Sequence, residues 1–262
     1  MPKLSVTIIT RDEEQDIGAA LASVAWADEI VVVDSGSTDR TVEIARRATN
    51  RVVIRDWPGY VEQKNFAAAQ ASHDWILSLD ADERVTPDLA QEIRRTLDHP
   101  SCVAYEIPRV TWHLGRWIRA TDWYPDRQTR LYDRRAARWT GQHVHEAVAV
   151  TGPKGRLSGE LQHFAYRDIA DHLETIDRYT TYAARQMHES GRRTSAWRLA
   201  VHPPLAFVRN FVARGGFRLG AVGLIVSTMN AYYVFLKYAK LWQLQTRPAA
   251  RPAREPGPRG TV

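Results

Sequence analysis

The sequence predicts an α/β fold in which helices cover a mainly parallel sheet. Apolar runs and segments of helical spacing alternate over residues 4–79. Residues 30–33 form a continuous β-branched run, which is typical of a strand buried on both faces. The connections between these segments are short, as they are in sheets whose strands are joined by crossover helices. Such sheets bind ligands beyond the carboxyl ends of their strands, so we expect a site there.

The elements of this sheet can be assigned in order. The four predicted strands are residues 4–9, 30–33, 52–54 and 75–79, with helices between them. Residues 103–150 differ, because tryptophans and tyrosines punctuate a stretch of weak helical periodicity. We expect mixed strands and long loops in that stretch.

The C-terminal part of the chain has a helical pattern. Residues 168–189 carry apolar side chains every three or four positions, which predicts an amphipathic helix. Residues 219–236 have no formal charge, and the length of this run is near the lower limit for a bilayer span. Polar side chains within the run reduce its hydrophobicity. We expect a buried or interfacial helical hairpin here, with a transmembrane span as the alternative. Basic residues on both sides of this run favour contact with anionic lipid head groups.

Length and composition limit the classes of protein that are possible. The chain has 262 residues, of which 44% are hydrophobic and 25% charged, as in soluble globular proteins. Cys102 is the only cysteine, which excludes an internal disulfide and a four-cysteine zinc site. The net charge of +6 suits partners that bear phosphate. The first residues lead directly into a strand without the pattern of a secretory signal, so we expect the N-terminus to stay in the cytosol.

Two acidic motifs follow predicted strands. Asp80 and Asp82 come directly after the fourth strand, and two carboxylates at this spacing can converge on a divalent cation that also binds diphosphate oxygens. Asp34 ends the second strand and is followed by Gly36. A carboxylate there can accept from the imide N–H of a pyrimidine, while the glycine lets the backbone approach a flat base.

These motifs form a set along the chain. The set consists of residues 9–14 (Ile-Thr-Arg-Asp-Glu-Glu), 33–39, 63–65 and 80–83. In this order and spacing the four segments resemble the N-terminal half of family 2 glycosyltransferases, which have a GT-A fold. The resemblance covers roughly residues 4–150. It implies a nucleotide-sugar site at the carboxyl edge of the sheet.

The resemblance also implies roles for individual residues. The expected nucleotide-sugar contacts are Thr10, Glu13, Asp34, Lys64, Asp80 and Asp82. Within this set, Thr10 and Glu13 would contact base and ribose, and Asp34 the nucleobase. Lys64 would contact the nucleotide. Asp80 would hold the ribose, and Asp82 a divalent metal, Mn²⁺ or Mg²⁺, on the diphosphate.

Later segments are similar to a narrower subgroup, the lipopolysaccharide core β-glucosyltransferases. These segments are residues 123–132, 139–146 and 231–238. The likeness implies UDP-glucose as donor, a lipid-linked inner-core sugar as acceptor, and a place at the cytoplasmic face of a bacterial inner membrane, with no nucleic-acid partner. The expected parts are a catalytic domain over residues 1–165, a membrane-associating helical region over 166–246 and a disordered tail over 247–262.

Sugar transfer with inversion needs a base near the acceptor hydroxyl. Glu146 and Asp126 are the two candidates, and we favour Glu146. Its neighbour His145 is expected to face the metal, since imidazole is a common metal ligand. The alternative role of Asp126 is a salt bridge to Arg127 or Arg130.

Two other functions fit parts of the sequence. A nucleotidyltransferase that makes an activated sugar would also use acidic metal ligands, but no Gly-rich loop with Arg or Lys follows the first strand. A basic protein that binds nucleic acid or membranes would explain the net charge. The acidic residues at the strand ends argue against nucleic acid, because they would repel its phosphates.

Overall fold

The structure, a computed structural model, describes residues 2–141 and 146–246. The chain divides into two compact units, one up to Asp168 and one from Ile169 onward. All β-strands of the described residues lie in the first unit, and the described part of the second unit is helical.

The first unit begins with four parallel strands. They are β1 (Leu4–Thr10), β2 (Glu29–Asp34), β3 (Val52–Ile54) and β4 (Trp75–Asp80), which lie side by side in the order β3-β2-β1-β4. The helices between them are α1 (Ile17–Ser23), α2 (Thr41–Ala48) and α3 (Tyr60–Gln70). The predicted parallel sheet with crossover helices is therefore confirmed.

The sheet continues with mixed strands, as predicted for the middle of the chain. The further elements are β5 (Glu83–Val85), α4 (Pro87–Asp98), β6 (Ala104–His113), β7 (Arg116–Ile118), β8 (Asp126–Asp133), β9 (Ala137–Thr140), β10 (Ala147–Val150), β11 (Lys154–Arg156) and β12 (Leu161–His163). Beyond β4 the order is β8-β6-β12-β5, and β7 and β11 also pair with β6. Strands β9 and β10 form a separate antiparallel pair.

The side chains of β4 alternate between two hydrophobic clusters on opposite faces of the sheet. Leu77 and Leu79 pack with residues of α1 and α4. Ile76 packs on the other face with residues of α3, β8 and β9, including Trp139. Because side chains alternate along a strand, Asp80 shares the face of Ile76. This alternation directs the last carboxylate of β4 toward α3.

Up to residue 246, the second unit contains three long helices and two short helical turns. The long helices are α5 (Ile169–Glu189), α6 (Ala196–Val208) and α7 (Ala221–Thr246). Helix α5 confirms the predicted amphipathic helix, and Gly191 follows its end with a positive φ of 74°. Lys240 links α7 to α5, because its ammonium donates to the carboxylate of Asp177 at 2.7 Å.

The charge-free run of residues 219–236 lies mostly in α7, which packs against both α5 and α6. Over residues 2–141 and 146–246, none of the helices combines the length and the apolar character that a bilayer span requires. Helix α6 contains Pro203 and Pro204 and continues into a π-helical turn, Arg209–Ala213. The predicted membrane association of this unit stays a prediction.

Candidate active site

The carboxyl ends of β1, β2 and β4 bring three of the predicted site residues to one edge of the sheet. Thr10 at the end of β1 is paired in register with Asp34 at the end of β2. Ile9, which precedes Thr10, is paired with Asp80 at the end of β4. The sequence therefore located this edge correctly.

Asp80 is held by two cations. The ammonium of Lys64, on α3, lies 3.0 Å from Oδ1 of Asp80, and the guanidinium of Arg130, on β8, donates to Oδ2. Burial alone would raise the pKa of Asp80, but Arg130 and then Lys64 hold that pKa well below its usual range. Asp80 is thus a fixed negative charge at the site.

Lys64 also connects Asp80 with Glu146. Its ammonium lies 3.4 Å from Oε1 of Glu146 and 4.3 Å from the centre of the Trp139 ring. Asn65 is the next residue of α3, and its side-chain amide fixes the backbone of Trp139. It donates to the Trp139 carbonyl at 2.9 Å and accepts from the Trp139 N–H at 3.0 Å. Glu146 therefore belongs to the same site as Asp80. His145 lies outside the described residues.

A chain of alternating charges leads from Asp80 to Asp126. Arg130 donates to the fully buried Glu83 at 2.7 Å, and Arg109 donates to the same carboxylate at 3.0 Å. Arg109 then holds Asp126 by contacts of 2.6 and 2.9 Å. Arg109 and Asp126 face each other in the β6–β8 register. The salt-bridge partner of Asp126 is therefore Arg109 rather than Arg127 or Arg130.

Arg130 retains unused donors inside this network. Only one of its terminal nitrogens bonds to Asp80 and Glu83, and its Nε and other terminal nitrogen have no hydrogen-bond partner among the described residues. The side chain is 4% exposed. Buried donors without partners are uncommon in folded proteins and are often satisfied by a ligand or water. Arg130 is thus suited to an anionic group of a substrate.

Asp82 lies against a histidine that the sequence analysis did not single out. Nε2 of His163 lies 3.2 Å from Oδ2 of Asp82, and Nδ1 of the same ring lies 3.3 Å from the hydroxyl of Thr111. His163 is the last residue of β12 and is paired with Glu83 of β5. The pairing of β12 with β5 brings His163 near Asp82, and local spacing in the sequence does not reveal that pairing.

The carboxyl of Glu13 interacts electrostatically with that of Asp82. Burial first, and then the nearby charges of Asp82 and Asp16, raise the pKa of Glu13 to about 7. Carboxylate oxygens and an imidazole nitrogen are suitable ligands for Mn²⁺, and excess negative charge favours a cation. Among residues 2–141 and 146–246, no three acidic, histidine or cysteine side chains converge as a metal site. A cation at Asp82 would therefore need ligands from elsewhere, such as diphosphate oxygens.

The part of the edge around Asp34 is compact. Asp34 is 1% exposed, and its carboxylate accepts from the amides of Gly36 and Ser37 at 3.0 and 2.9 Å and from the Ser37 hydroxyl. A carboxylate has about four acceptor positions, so about one remains for a ligand. The hydroxyl of Thr10 is buried and has no hydrogen-bond partner within the described part of the chain. Thr10 therefore offers an unused polar group at this edge.

Comparison with known proteins identifies the family. Residues 5–151 match the family described as Glycosyl transferase family 2. The chain is 33% identical over 261 residues to "Lipopolysaccharide core biosynthesis glycosyltransferase LpsC" of Rhizobium meliloti (strain 1021), covering 95% of this chain and 97% of the relative.

Two solved structures are similar at lower levels. S. aureus TarS 1–349 has a TM-score of 0.48 and 16% identity, with 91% of each chain covered. Glucosyl-3-phosphoglycerate synthase from Mycobacterium tuberculosis, in complex with Mn²⁺ and UDP-Glc, has a TM-score of 0.36 and 24% identity, with 42% of this chain and 44% of that chain covered. The family match spans more than half of the sequence, and the similarity to LpsC spans nearly all of it. The chain therefore belongs to glycosyltransferase family 2.

Proposed function

We propose that the protein is an inverting, metal-dependent glycosyltransferase that moves glucose from UDP-glucose onto a lipid-linked saccharide. The observation that carries this proposal is the position of Lys64, which contacts Asp80 on one side and Glu146 on the other. A carboxylate suited to deprotonate an acceptor thereby lies beside the expected donor site. The similarity to LpsC supports the inner core of lipopolysaccharide as the acceptor and the cytoplasmic face of the inner membrane as the location.

Donor binding in this proposal uses the edge formed by β1, β2 and β4. Thr10 and Glu13 contact base and ribose, Asp34 offers its remaining acceptor position to the base, and Asp80 holds the ribose. Lys64 contributes a positive charge on the nucleotide side. The unpartnered hydroxyl of Thr10 supports a polar ligand at this edge.

The metal would be held by Asp82 together with His163, whose imidazole already lies against the carboxylate. The hydroxyl of Thr111 contacts the other ring nitrogen and so fixes the orientation of His163. A bound Mn²⁺ or Mg²⁺ would neutralise charge on the diphosphate leaving group. His145 remains a further candidate ligand.

In the chemical step, Glu146 accepts the proton of the acceptor hydroxyl. The hydroxyl oxygen attacks the anomeric carbon from the face opposite the diphosphate, the bond to the diphosphate oxygen breaks, and the configuration inverts. Lys64 holds Glu146 in place through their contact of 3.4 Å. Asp126 is the less suitable base, because Arg109 holds its carboxylate by two contacts.

The test supplies UDP-glucose, UDP-galactose and GDP-mannose separately, each with Mn²⁺ and lipopolysaccharide whose core is truncated. We expect UDP release and a glycosylated product only with UDP-glucose, and NMR of the product should show inversion at the anomeric carbon. A retained configuration would contradict the mechanism. Pyrophosphate release from a nucleoside triphosphate and a sugar phosphate would instead support a nucleotidyltransferase.

A further inference from the structure

The outward side of α6 is apolar. Trp197, Leu205, Val208 and Val212 recur at intervals of eight, three and four residues along α6 and the π-helical turn, which places them on one side. All four side chains are more than half exposed, and Trp197, at 74%, is the most exposed large hydrophobic residue of the described chain. We call this set the α6 apolar face.

This pattern is the reverse of that of a helix facing water. Such a helix turns its polar residues outward and its apolar residues inward. On α6 and the turn that follows, the buried positions are the small Ala206 and the polar Asn210, whose amide donates to Asn230 of α7 at 2.8 Å. A contiguous exposed apolar patch marks an interaction surface. The α6 apolar face therefore needs a partner.

The charges around this face have one sign. From residue 190 to residue 246 the sequence has eight Lys or Arg residues and no Asp or Glu. Arg198 and Arg209 directly follow members of the α6 apolar face, and Arg214 and Arg218 come within the next ten residues. Phe217, between these last two arginines, is 52% exposed. A partner for this surface must combine an apolar interior with negative charge.

We propose that the α6 apolar face docks on an anionic lipid bilayer, with α6 lying along the membrane surface. The apolar side chains enter the boundary between head groups and acyl chains, and the arginines bind lipid phosphates. The long arginine side chains can reach the phosphates while their stems cover apolar surface. This assignment rests on the membrane location in the proposed function and names the surface that achieves it.

Two other occupants fit this surface less well. Residues 247–262 carry four arginines and one glutamate and no aromatic side chain, so they match neither its charge nor its apolar character. A second copy of the chain would bring the same positive charge to the same place, and like charges repel. An anionic lipid surface matches both properties.

Within residues 166–246, the region that the sequence predicts to associate with the membrane, we assign the contact to α6 rather than to the charge-free run of residues 219–236. In the structure much of that run packs in α7 against α5 and α6, and Val226 and Ser227 are fully buried. Substitutions on α6 therefore provide a direct test of the assignment.

The test is cosedimentation of the full chain with vesicles of phosphatidylcholine alone or with added phosphatidylglycerol. The test variant is Leu205→Glu with Val208→Glu, and the control is Leu173→Glu, which replaces an exposed leucine of α5. We expect wild type and control to bind the anionic vesicles, with a blue shift of tryptophan fluorescence. The double variant should bind at least about tenfold more weakly. Adding salt should weaken wild-type binding, because the arginine contribution is electrostatic.

Equal binding by wild type and the double variant would overturn the proposal, as would an equal loss in the Leu173→Glu control. A dimer of the wild type that the double variant abolishes would assign the face to a second copy instead. Circular dichroism and UDP binding check that the variants remain folded. Because UDP binding depends on the first unit, loss of vesicle binding with UDP binding retained separates this surface from the proposed catalytic function.

Discussion

The ammonium of Lys64 lies 3.0 Å from a carboxylate oxygen of Asp80, and only 4% of the lysine side chain is exposed. A buried charge is costly unless it is paired. Lys64 meets this condition with two carboxylates, those of Asp80 and Glu146, and with the ring of Trp139. The pairing joins α3 to the end of β4. The same side chain therefore contributes to the stability of the fold and to the geometry of the site.

Replacing Lys64 by methionine should destabilise the protein, because Asp80 and Glu146 lose a buried cation. We expect the free energy of unfolding to fall by about 3 kcal/mol, the low end for a broken buried pair, since Asp80 keeps Arg130. The matched control is Lys154→Met, which removes a half-exposed lysine paired with Glu106 and should cost less than about 1 kcal/mol. Urea denaturation of both variants checks this, and equal losses would show that Lys64 is not a buried structural charge.

His163 should be more important for the metal than its position as the last residue of the short strand β12 suggests. Because its imidazole contacts Asp82, we expect His163→Ala to weaken Mn²⁺-dependent UDP binding by at least about tenfold. UDP binding is measured by calorimetry with Mn²⁺ and with EDTA. The comparison variant is His145→Ala, which removes the histidine that the sequence favoured. If only His145→Ala weakens binding, the assignment of His163 is wrong.

Replacing each candidate base by the corresponding amide residue shows which of the two carboxylates accepts the proton. Glu146→Gln should lower kcat by at least about 100-fold and leave the Kd for UDP nearly unchanged, because only the proton acceptor is lost. Asp126→Asn should have a smaller effect on kcat, since the carboxylate is engaged by Arg109. Initial rates of UDP release from UDP-glucose, measured at saturating acceptor, check this prediction. The reverse order of the two effects would make Asp126 the base.

The raised pKa of Glu13 predicts a pH dependence of stability. The folded state holds this proton up to a pKa of about 7, whereas the ordinary value is 4.5. The stability that the protonated carboxyl contributes is therefore present below the unfolded pKa and is lost as pH rises through about 7. The Glu13→Gln variant has no carboxyl to ionise at this position, so it does not lose stability in this way as pH rises. In EDTA at about pH 8 the variant should be more stable than wild type by about 1–2 kcal/mol, after allowance for partial exposure.

Urea denaturation across this pH range measures the difference for Glu13→Gln. The matched control is Glu14→Gln, which removes the neighbouring exposed glutamate and retains the Glu13 carboxyl. A difference that grows as pH falls would have the wrong sign and would reject the raised pKa.

The sequence predicted the part of the site that depends on local patterns. Apolar runs that end in a carboxylate identified β2 and β4, and parallel strands necessarily bring such ends to one edge. The position of Thr10 beside Asp34 follows from the same rule. The resemblance to a family supplied Lys64, whose place on α3 no strand-end argument indicates.

The parts of the site that local patterns did not predict depend on pairing between distant strands. His163 meets Asp82 because β12 pairs with β5, and Arg109 meets Asp126 because β6 pairs with β8. Spacing along β8 did not predict the charge network either, because the β6–β8 register shifts between Tyr105 and Glu106 and skips Arg130, so side-chain alternation does not run unbroken from Asp126 to Arg130. The register of β6 was also not predictable, since nothing in a single sequence fixes which residues of two distant strands face each other.

We expect Asp82 and a divalent cation together to form the diphosphate site of a nucleotide-sugar enzyme. This is measured by the thermal shift that UDP, GDP or dTDP produces, each with Mn²⁺ or EDTA, on wild type and Asp82→Ala. A ligand at about one hundred times its Kd stabilises the folded state by about 2.7 kcal/mol, or roughly 5 °C or more in Tm. We expect a shift with UDP that requires both Mn²⁺ and Asp82. A UDP shift of the same size in EDTA or in Asp82→Ala, or no shift with any diphosphate, would contradict it.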